Sequence, residues 1–272
     1  MDQAFKLREL RNKPVPESGK GKIISVTSGK GGTGKSFVSF NLALAFSRKG
    51  NKTLLVEFDH NLSSLSYQLG VEPETTIYDV FRGTALFEDL PCKISENLFV
   101  AFGENGKLNY PENLVTHIKN FFARLYGKTN DYDYIIIDNG AGISPEIFET
   151  IRHSSMNLIV TQPDAVSVMD AYVLIKLMKK NSLNIPVGIS INKCGNIEQG
   201  KEAFENLNKA TDHFFGEKVE LCGILPEDRK AAELMISVTG GFGELMKTNF
   251  FGKIEEVADG IHNFRQLANI HH

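Results

Sequence analysis

Short apolar runs bounded by turn residues recur along the chain from residue 22 onward. Near-continuous apolar runs of this kind predict strands that are buried on both faces of a parallel sheet. Stretches with helical spacing separate most of them, which predicts a doubly wound α/β domain with helices on both faces of a mostly parallel sheet. The predicted strands are 22–27, 53–57, 97–102, 133–138, 157–161, 186–192 and 219–225, and the predicted helices are about 35–49, 110–126, 164–180 and 198–215.

Two segments flank this domain, which we expect to span residues 22–241. Residues 1–11 predict a short helix, with Asp2 in the first turn where negative charge meets the positive end of the helix dipole. Residues 12–21 hold two prolines and two glycines and predict a linker, so the leading helix is expected to be tethered to the domain. Residues 242–270 predict a further helix, whose apolar residues recur three and four apart at Phe250, Ile254, Val257, Ile261, Phe264 and Leu267.

Composition narrows the class of protein. The 272 residues are 42% hydrophobic, which is enough for a substantial core, and the net charge of −3 argues against a chain whose main role is to coat nucleic acid. Three cysteines lie far apart and form no CxxC pair, so neither a disulfide framework nor a zinc site is indicated. No apolar run approaches the ~18 residues of a membrane span, and we expect a cytoplasmic protein.

A glycine-rich segment after the first predicted strand carries the strongest chemical signal. It matches GxxxxGK[ST] and leads directly into a helix, which is the context that a phosphate-binding loop requires. Backbone N–H groups of the loop and the helix dipole would hold phosphate, Lys35 would reach the β- and γ-phosphates, and Ser36 would ligate Mg²⁺. The segment therefore predicts ATP or ADP with Mg²⁺ at Gly29, Lys30, Gly31, Gly32, Thr33, Gly34, Lys35 and Ser36.

The loop also has a second lysine, Lys30, in the string KGGTGKS. This variant resembles the deviant Walker A box of the MinD/ParA class of ATPases. The resemblance implies that Lys30 crosses a dimer interface and touches the nucleotide of the partner subunit. It therefore implies an ATPase that switches between a monomer and an ATP-bound homodimer.

Acidic residues follow two of the predicted strands. Asp59 lies after the second strand, where a carboxylate near the γ-phosphate can orient the attacking water, and we expect it to act in catalysis beside the metal. The MinD/ParA class usually has D-x-D here, so Asp59 matches the second acid and Glu57 replaces the first. Glu57 keeps the charge but extends it by one methylene, which departs from the family pattern.

Asp138 ends the apolar strand Ile135–Ile137, as in a Walker B motif, and is expected to hold a Mg²⁺-bound water. Gly140 and Gly142 would give the following loop freedom to move with the γ-phosphate. The MinD/ParA class usually has DTGAG or DSPAG at this point, so Asn139 is a local departure.

Base recognition is expected at the same edge of the sheet. The resemblance implies that Asn192 contacts adenine and that a turn holding Pro226 and Asp228 closes over the base. The alternative is that these residues serve the backbone of ordinary turns, which favour Asn, Pro and Asp.

The first residues match DQAxxLR. Together with the deviant Walker A box and the GAGIS string after Asp138, this motif resembles the FlhG (FleN) family, which governs flagellar number and placement. The resemblance implies that the N-terminal helix docks on the signal-recognition-particle-type GTPase FlhF and stimulates its GTP hydrolysis, and it also implies flagellar basal-body partners. The implied contact residues are Asp2, Gln3, Ala4, Leu7 and Arg8, and the alternative is a frayed amphipathic tail.

For the C-terminal helix the resemblance implies membrane targeting, at the inner face of the cytoplasmic membrane. Its polar face carries Glu255, Glu256 and Asp259 against Lys253 and Arg265, which suits anionic lipid poorly. The alternative is a helix packed on the domain, and both remain open at this point.

Two related functions compete with the flagellar one. A division-site MinD-type regulator leaves the DQAxxLR motif unexplained. A ParA-type DNA-partitioning protein needs a basic surface, whereas the best lysine cluster, Lys176, Lys179 and Lys180, is typical of a solvated helix face. DNA is therefore not expected as a partner, and an iron–sulfur carrier is set aside because no cysteine follows Asp138 closely.

Overall fold

The computed structural model describes residues 22–59, 64–104, 112–216, 218–236 and 242–268. The helix expected at 1–11 and the linker at 12–21 lie outside these residues. Within them the chain alternates strand and helix, as the sequence predicts. The strands are β1 Lys22–Thr27, β2 Thr53–Phe58, β3 Cys92–Lys93, β4 Leu98–Ala101, β5 Tyr134–Asn139, β6 Met156–Thr161, β7 Val187–Cys194 and β8 Glu220–Pro226.

The helices connect successive strands and cover the sheet. They are α1 Lys35–Arg48, α2 Leu65–Leu69, α3 Ile77–Arg82, α4 Leu114–Tyr126, α5 Pro145–Arg152, α6 Ala165–Lys180, α7 Ile197–Phe215, α8 Arg229–Ile236 and α9 Asn249–Ala268.

All eight strands form one sheet in the order β3-β4-β2-β5-β1-β6-β7-β8. Neighbouring strands are parallel, except that β3 pairs antiparallel with β4 at the edge. The predicted doubly wound fold is confirmed. Because β1 lies in the middle of the sheet between β5 and β6, the loop after β1 meets the loops that follow its neighbours at the carboxyl edge.

Successive residues of each buried strand point to opposite faces, which builds two apolar layers. In β1, Ile24 packs into the cluster formed with α1 and α9, whereas Ile23 packs into the cluster formed with α4. A third cluster joins α5, α6 and α7 to β6 and β7 on the α4 side of the sheet. Helices therefore cover both faces of the sheet. Because both faces of each central strand are buried, its sequence is a nearly continuous apolar run.

The short elements are absent from the sequence prediction. The edge strand β3 and the helices α2, α3, α5 and α8 have between two and eight residues, too few for a clear period. Two of them do carry start signals. Thr76 and Asp79 form a capping box at α3, and Ser144 caps α5 with Pro145 at its first position.

Of the two roles left open for the C-terminal helix, the structure shows packing on the domain. Phe250, Ile254, Val257 and Ile261 of α9 are each 0% exposed and form part of the core cluster with α1. The ring of Phe250 lies 4.6 Å from that of Phe37, measured between centroids. The part of this apolar face from Phe250 to Ile261 is therefore core. None of the described helices is long and apolar enough to cross a membrane.

This packing predicts a large stability effect in the described part of α9. Ile254→Ala should lower the free energy of unfolding by about 2–5 kcal/mol, because it leaves a cavity in a close-packed core. Urea denaturation would measure the change. The control is Glu256→Ala on the exposed face of the same helix, where about ±0.5 kcal/mol is expected. Equal, small effects of both substitutions would show that α9 is not part of the folded core.

Candidate nucleotide-binding site

The phosphate loop, residues 28–34, joins β1 to α1 and depends on its glycines. Gly32 and Gly34 have φ angles of +78° and +86°, a left-handed region that residues with a Cβ adopt only at a cost. A Cβ at Gly34 would also lie 2.4 Å from Asn192 Nδ2, and one at Gly29 would lie 2.6 Å from the carbonyl carbon of Asp170 in α6. The loop therefore packs so closely on the neighbouring elements that side chains at these positions do not fit.

A buried ion pair fixes the start of α1 to the end of β5. Lys35 Nζ lies 2.9 Å from Asp138 Oδ1, with the lysine side chain 5% exposed and the aspartate 0%. Ser39 Oγ, one turn later in α1, donates to the same oxygen at 2.9 Å. Lys35 Nζ also lies 3.4 Å from Ser36 Oγ. The predicted phosphate-binding lysine, metal-binding serine and Walker B aspartate are thus brought together.

Two buried oxygen atoms near the ion pair indicate whether these residues fit a nucleotide and its metal. Asp138 Oδ2 and Thr33 Oγ1 have no hydrogen-bond partner within the residues that the structure describes. Buried polar atoms without a partner are rare and costly, so each needs an explanation. Carboxylate and hydroxyl oxygens suit Mg²⁺, its bound water and phosphate. The residues therefore fit Mg²⁺ and a nucleotide phosphate.

Side chains from the carboxyl end of β7 and from the loop after β6 hold the phosphate loop through its carbonyl groups. Asn192 Nδ2 donates to Thr33 O at 2.8 Å, while Gln162 Nε2 and Lys193 Nζ donate to Gly32 O at 2.9 and 2.7 Å. With these carbonyls turned outward to these side chains, the N–H groups of the loop are left for an anion. Gln162 and Lys193 were not predicted. The signal for Lys193 was its place directly after Asn192 at a strand end, and it too has a left-handed φ of +57°.

The residues expected at the base share one cavity of about 290 Å³ beside Gly34. Asn192, Pro226 and Asp228 all line it. Asp228 also has a backbone role, since its Oδ1 accepts from Ala231 N at 2.9 Å in the first turn of α8. Asp228 therefore serves a turn and lines the cavity, and the contact of these residues with adenine stays a prediction.

Lys30 lies within its own chain against Asp164, with 3.4 Å between Nζ and Oδ1. Asp164 caps α6, since its Oδ1 accepts from Ser167 N at 2.9 Å. Hydrogen bonds from Ser167, aided by the charge of Lys30, lower the pKa of Asp164 below its usual value. The sequence prediction omits Asp164, although an aspartate three residues before a serine at a helix start is a capping signal.

Glu57 and Asp59 have different surroundings. The Glu57 carboxylate is 2% exposed and accepts from Ser64 N at 2.8 Å, Leu65 N at 3.0 Å and Gly103 N at 3.2 Å. Its extra methylene thus serves to tie β2 to the backbone around α2 and β4. Asp59 Oδ1 lies 3.6 Å from where a Cβ at Gly140 would be, so it borders the loop after Asp138.

Asn139, which departs from the family pattern, is a buried structural residue. Its Nδ2 donates to Ser25 Oγ at 2.8 Å and to Val26 O at 2.9 Å, and its Oδ1 accepts from Thr150 Oγ1. These bonds join β5 to β1 and to α5. The loop that begins here is fixed further on, where Gly142 N donates to Ser28 O at 3.0 Å.

Comparison with known proteins agrees with this geometry. A model of the ParA family, described as a NUBPL iron-transfer P-loop NTPase, matches residues 20–239. The chain belongs to the ParA family of P-loop NTPases. Among solved structures, the septum site-determining protein MinD of Pyrococcus horikoshii, complexed with Mg-ADP, has a TM-score of 0.75 and 26% identity, covering 91% of this chain and 98% of that one.

Two curated relatives narrow the position of the chain within the ParA family. The flagellum site-determining protein YlxH of Helicobacter pylori is 32% identical over 218 residues, which are 76% of this chain and 72% of the relative. The antiactivator FleN of Pseudomonas aeruginosa is 26% identical over 241 residues, which are 88% of this chain and 86% of the relative. The resemblance to the FlhG (FleN) family is confirmed. Asp2, Gln3, Ala4, Leu7 and Arg8 lie outside the described residues, and their role stays a prediction.

The buried ion pair yields a test by double substitution. Lys35→Ala should lower the free energy of unfolding by about 3–5 kcal/mol, because it leaves the Asp138 carboxylate buried without a cation. Adding Asp138→Asn should recover a large part of that loss, since the amide carries no charge. Urea denaturation of both single variants and the double variant would measure the coupling.

The control for this cycle is the surface pair of Lys49 and Asp259, which is partly exposed. Lys49→Ala should cost no more than about 1 kcal/mol. Strictly additive effects of Lys35→Ala and Asp138→Asn would contradict a coupled buried pair.

Proposed function

We propose that this ParA-family protein is a Mg²⁺-dependent ATPase that alternates between a monomer and an ATP-bound homodimer and regulates the number and placement of flagella. The observation that carries the enzymatic part is the cluster of Lys35, Ser36 and Asp138, in which Lys35 and Asp138 are buried and one oxygen of Asp138 has no hydrogen-bond partner among the described residues. Similarity to YlxH and FleN supports the flagellar part.

Each residue of the site has a definite task in this proposal. Bound Mg²⁺–ATP would supply the γ-phosphoryl group and neutralise its developing charge. Lys35 would bind the β- and γ-phosphates in place of Asp138, Ser36 would ligate Mg²⁺, and Asp138 would hold Mg²⁺ through a bound water. Asp59 orients the attacking water, because it stands against Gly140 in the loop that follows Asp138.

In the proposed dimer, Lys30 contacts the nucleotide bound to a second copy of the chain. Its pair with Asp164 is partly exposed, with 34% and 47% of the two side chains accessible, so little energy holds Lys30 in its own chain. Large apolar side chains are exposed on the elements that flank it, namely Ile143 at 39%, Met169 at 58% and Val166 at 64%. Exposed apolar side chains of this kind suit an interface with a second copy of the chain, in which they would be buried.

Hydrolysis and dimerisation are tested together by Asp59→Ala. This variant should bind ATP but hydrolyse it at least about 100-fold more slowly, because water positioning is lost while the phosphate contacts remain. Size-exclusion chromatography with ATP should then show more dimer than in the unsubstituted protein. The control is Asp212→Ala on the exposed side of α7, which should leave both readouts unchanged. A monomer under these conditions would contradict both the role of Asp59 and ATP-driven dimerisation.

The flagellar proposal extends to a second nucleotide enzyme. The DQAxxLR segment is proposed to stimulate GTP hydrolysis by the signal-recognition-particle-type GTPase FlhF, with flagellar basal-body components as further partners. Gln3 has an amide that both donates and accepts hydrogen bonds, as is needed to orient a water beside another protein's γ-phosphate. A short segment of this kind is marginal as a helix in water and would become ordered on binding.

The activator role is tested by a peptide of residues 1–20 mixed with an FlhF-type GTPase and GTP. Phosphate release should accelerate, and Gln3→Ala in the peptide should remove most of the acceleration. Lys6→Ala, at a variable position of the motif, is the matched control and should keep it. Hydrolysis at the basal rate with every peptide would favour a division-site MinD-type positioning ATPase instead.

The proposal does not include lipid binding through the apolar face of α9, because the described part of that face is core. Peripheral attachment to the inner face of the cytoplasmic membrane would need other residues or the release of this helix. Liposome sedimentation in the presence and absence of ATP distinguishes these cases.

A further inference from the structure

A second cavity lies at the amino ends of the strands, whereas the phosphate loop lies at their carboxyl ends. This amino-edge cavity has a volume of about 270 Å³ and opens between α4 and the amino ends of β2 and β4. Its walls are mostly apolar and include Leu54, Phe87, Leu90, Phe99, Phe121 and Leu125. Its mostly apolar lining suits one or two inserted apolar side chains.

The described chain begins next to this cavity. Lys22 N donates to Asp133 O at 3.0 Å, and the preceding residue, Tyr132, forms part of the cavity wall. Lys22, which 21 residues precede in the sequence, therefore lies beside the cavity. Residues 12–21 can span at most about 33 Å when extended, at roughly 3.3 Å for each residue. Residues 1–11 can thus reach the opening.

The chemistry of residues 1–11 matches the cavity and its rim. Phe5, Leu7 and Leu10 are apolar, and three cations, Lys6, Arg8 and Arg11, outnumber the two anions. The rim of the cavity carries the exposed carboxylates of Glu88 and Asp131 and one cation, Lys128, whose Nζ lies 3.9 Å from Asp131 Oδ2. Because Lys128 lies next to Asp131, Glu88 is the rim carboxylate that we assign to the cations of residues 1–11. Apolar side chains with cations beside them complement an apolar cavity with Glu88 at its rim.

We propose that residues 1–11 dock into the amino-edge cavity of their own chain, with an apolar side chain inserted and the cations at the acidic rim. The linker makes this binding intramolecular, at an effective concentration of about millimolar, so that a weak contact suffices. In the docked form the DQAxxLR motif is withheld from other proteins. This regulatory consequence rests on the proposed GTPase-activating function, whereas the docking itself does not.

The chain contains no tryptophan, so Phe5→Trp in the full-length protein gives a single fluorophore. Its emission should lie at shorter wavelength than that of a 1–20 peptide with the same substitution, and acrylamide should quench it less. Glu88→Lys should reduce this protection by about two- to fivefold, the range for one exposed ion pair. The control Glu205→Lys, which reverses an exposed charge on α7, should have no effect. Emission and quenching identical to the free peptide would overturn the proposal.

Disulfide trapping locates the docked segment independently. Leu7→Cys combined with Glu88→Cys should form an intramolecular disulfide under mild oxidation, whereas Leu7→Cys with Glu205→Cys should not. Cys92→Ser in the same background removes the partly exposed native thiol that directly follows Pro91 of the cavity wall. The other two native thiols interfere little, because burial raises the pKa of Cys194 to about 11 and that of Cys222 to about 12. Equal trapping at both positions would show an undocked tail and overturn the proposal.

Different results would contradict the docking of residues 1–11 and the proposed GTPase-activating function. If docking is correct, releasing the segment with Glu88→Lys should raise the stimulation of an FlhF-type GTPase by the full-length protein. Protected Phe5→Trp fluorescence without any GTPase stimulation would contradict the proposed activator function and leave the docking intact.

Discussion

The buried contact between Lys35 and Asp138 is the interaction on which the site depends. Removing two charges from water costs several kcal/mol for each ion, and this cost is offset only where geometry and additional hydrogen bonds are good. Here the cation comes from the first turn of α1 and the carboxylate from the end of β5, and Ser39 adds a second hydrogen bond to the same oxygen. The pair therefore sets the position of the phosphate loop, because the loop lies between β1 and α1.

The ion pair leaves Lys35 and Asp138 able to change their binding partners. One oxygen of Asp138 is bonded twice, and the other has no partner in the described part of the chain. A lysine that leaves Asp138 for a phosphate would free a carboxylate at the place where a metal would be needed. Binding of the nucleotide would then break this ion pair and prepare the metal site in one event.

The two residues that depart from the family pattern, Glu57 and Asn139, are not among the residues predicted to bind nucleotide or metal. Glu57 bonds to three backbone N–H groups and Asn139 links β5 to β1 and α5, so both are buried structural residues. Of the residues that match the family, Asp59 lies directly after β2, Lys30 lies in the phosphate loop and Lys35 begins α1. The apolar face of α9 up to Ile261 completes the core over α1 and β8.

The sequence by itself determined the doubly wound fold, because buried parallel strands are continuously apolar. It also determined the phosphate loop, because a glycine-rich loop of this kind has a fixed local pattern. Asn192, Pro226 and Asp228 could be grouped because each lies at or shortly after the carboxyl end of a predicted strand. It did not give the short helices and the edge strand, whose length is below one clear period. Only the tertiary structure decided the pairing of Lys30 with Asp164, the bonds of Gln162 and Lys193 to Gly32, and the burial of α9. Each of these joins residues that are distant in the chain, and a local pattern contains no information on which distant surface a side chain will meet.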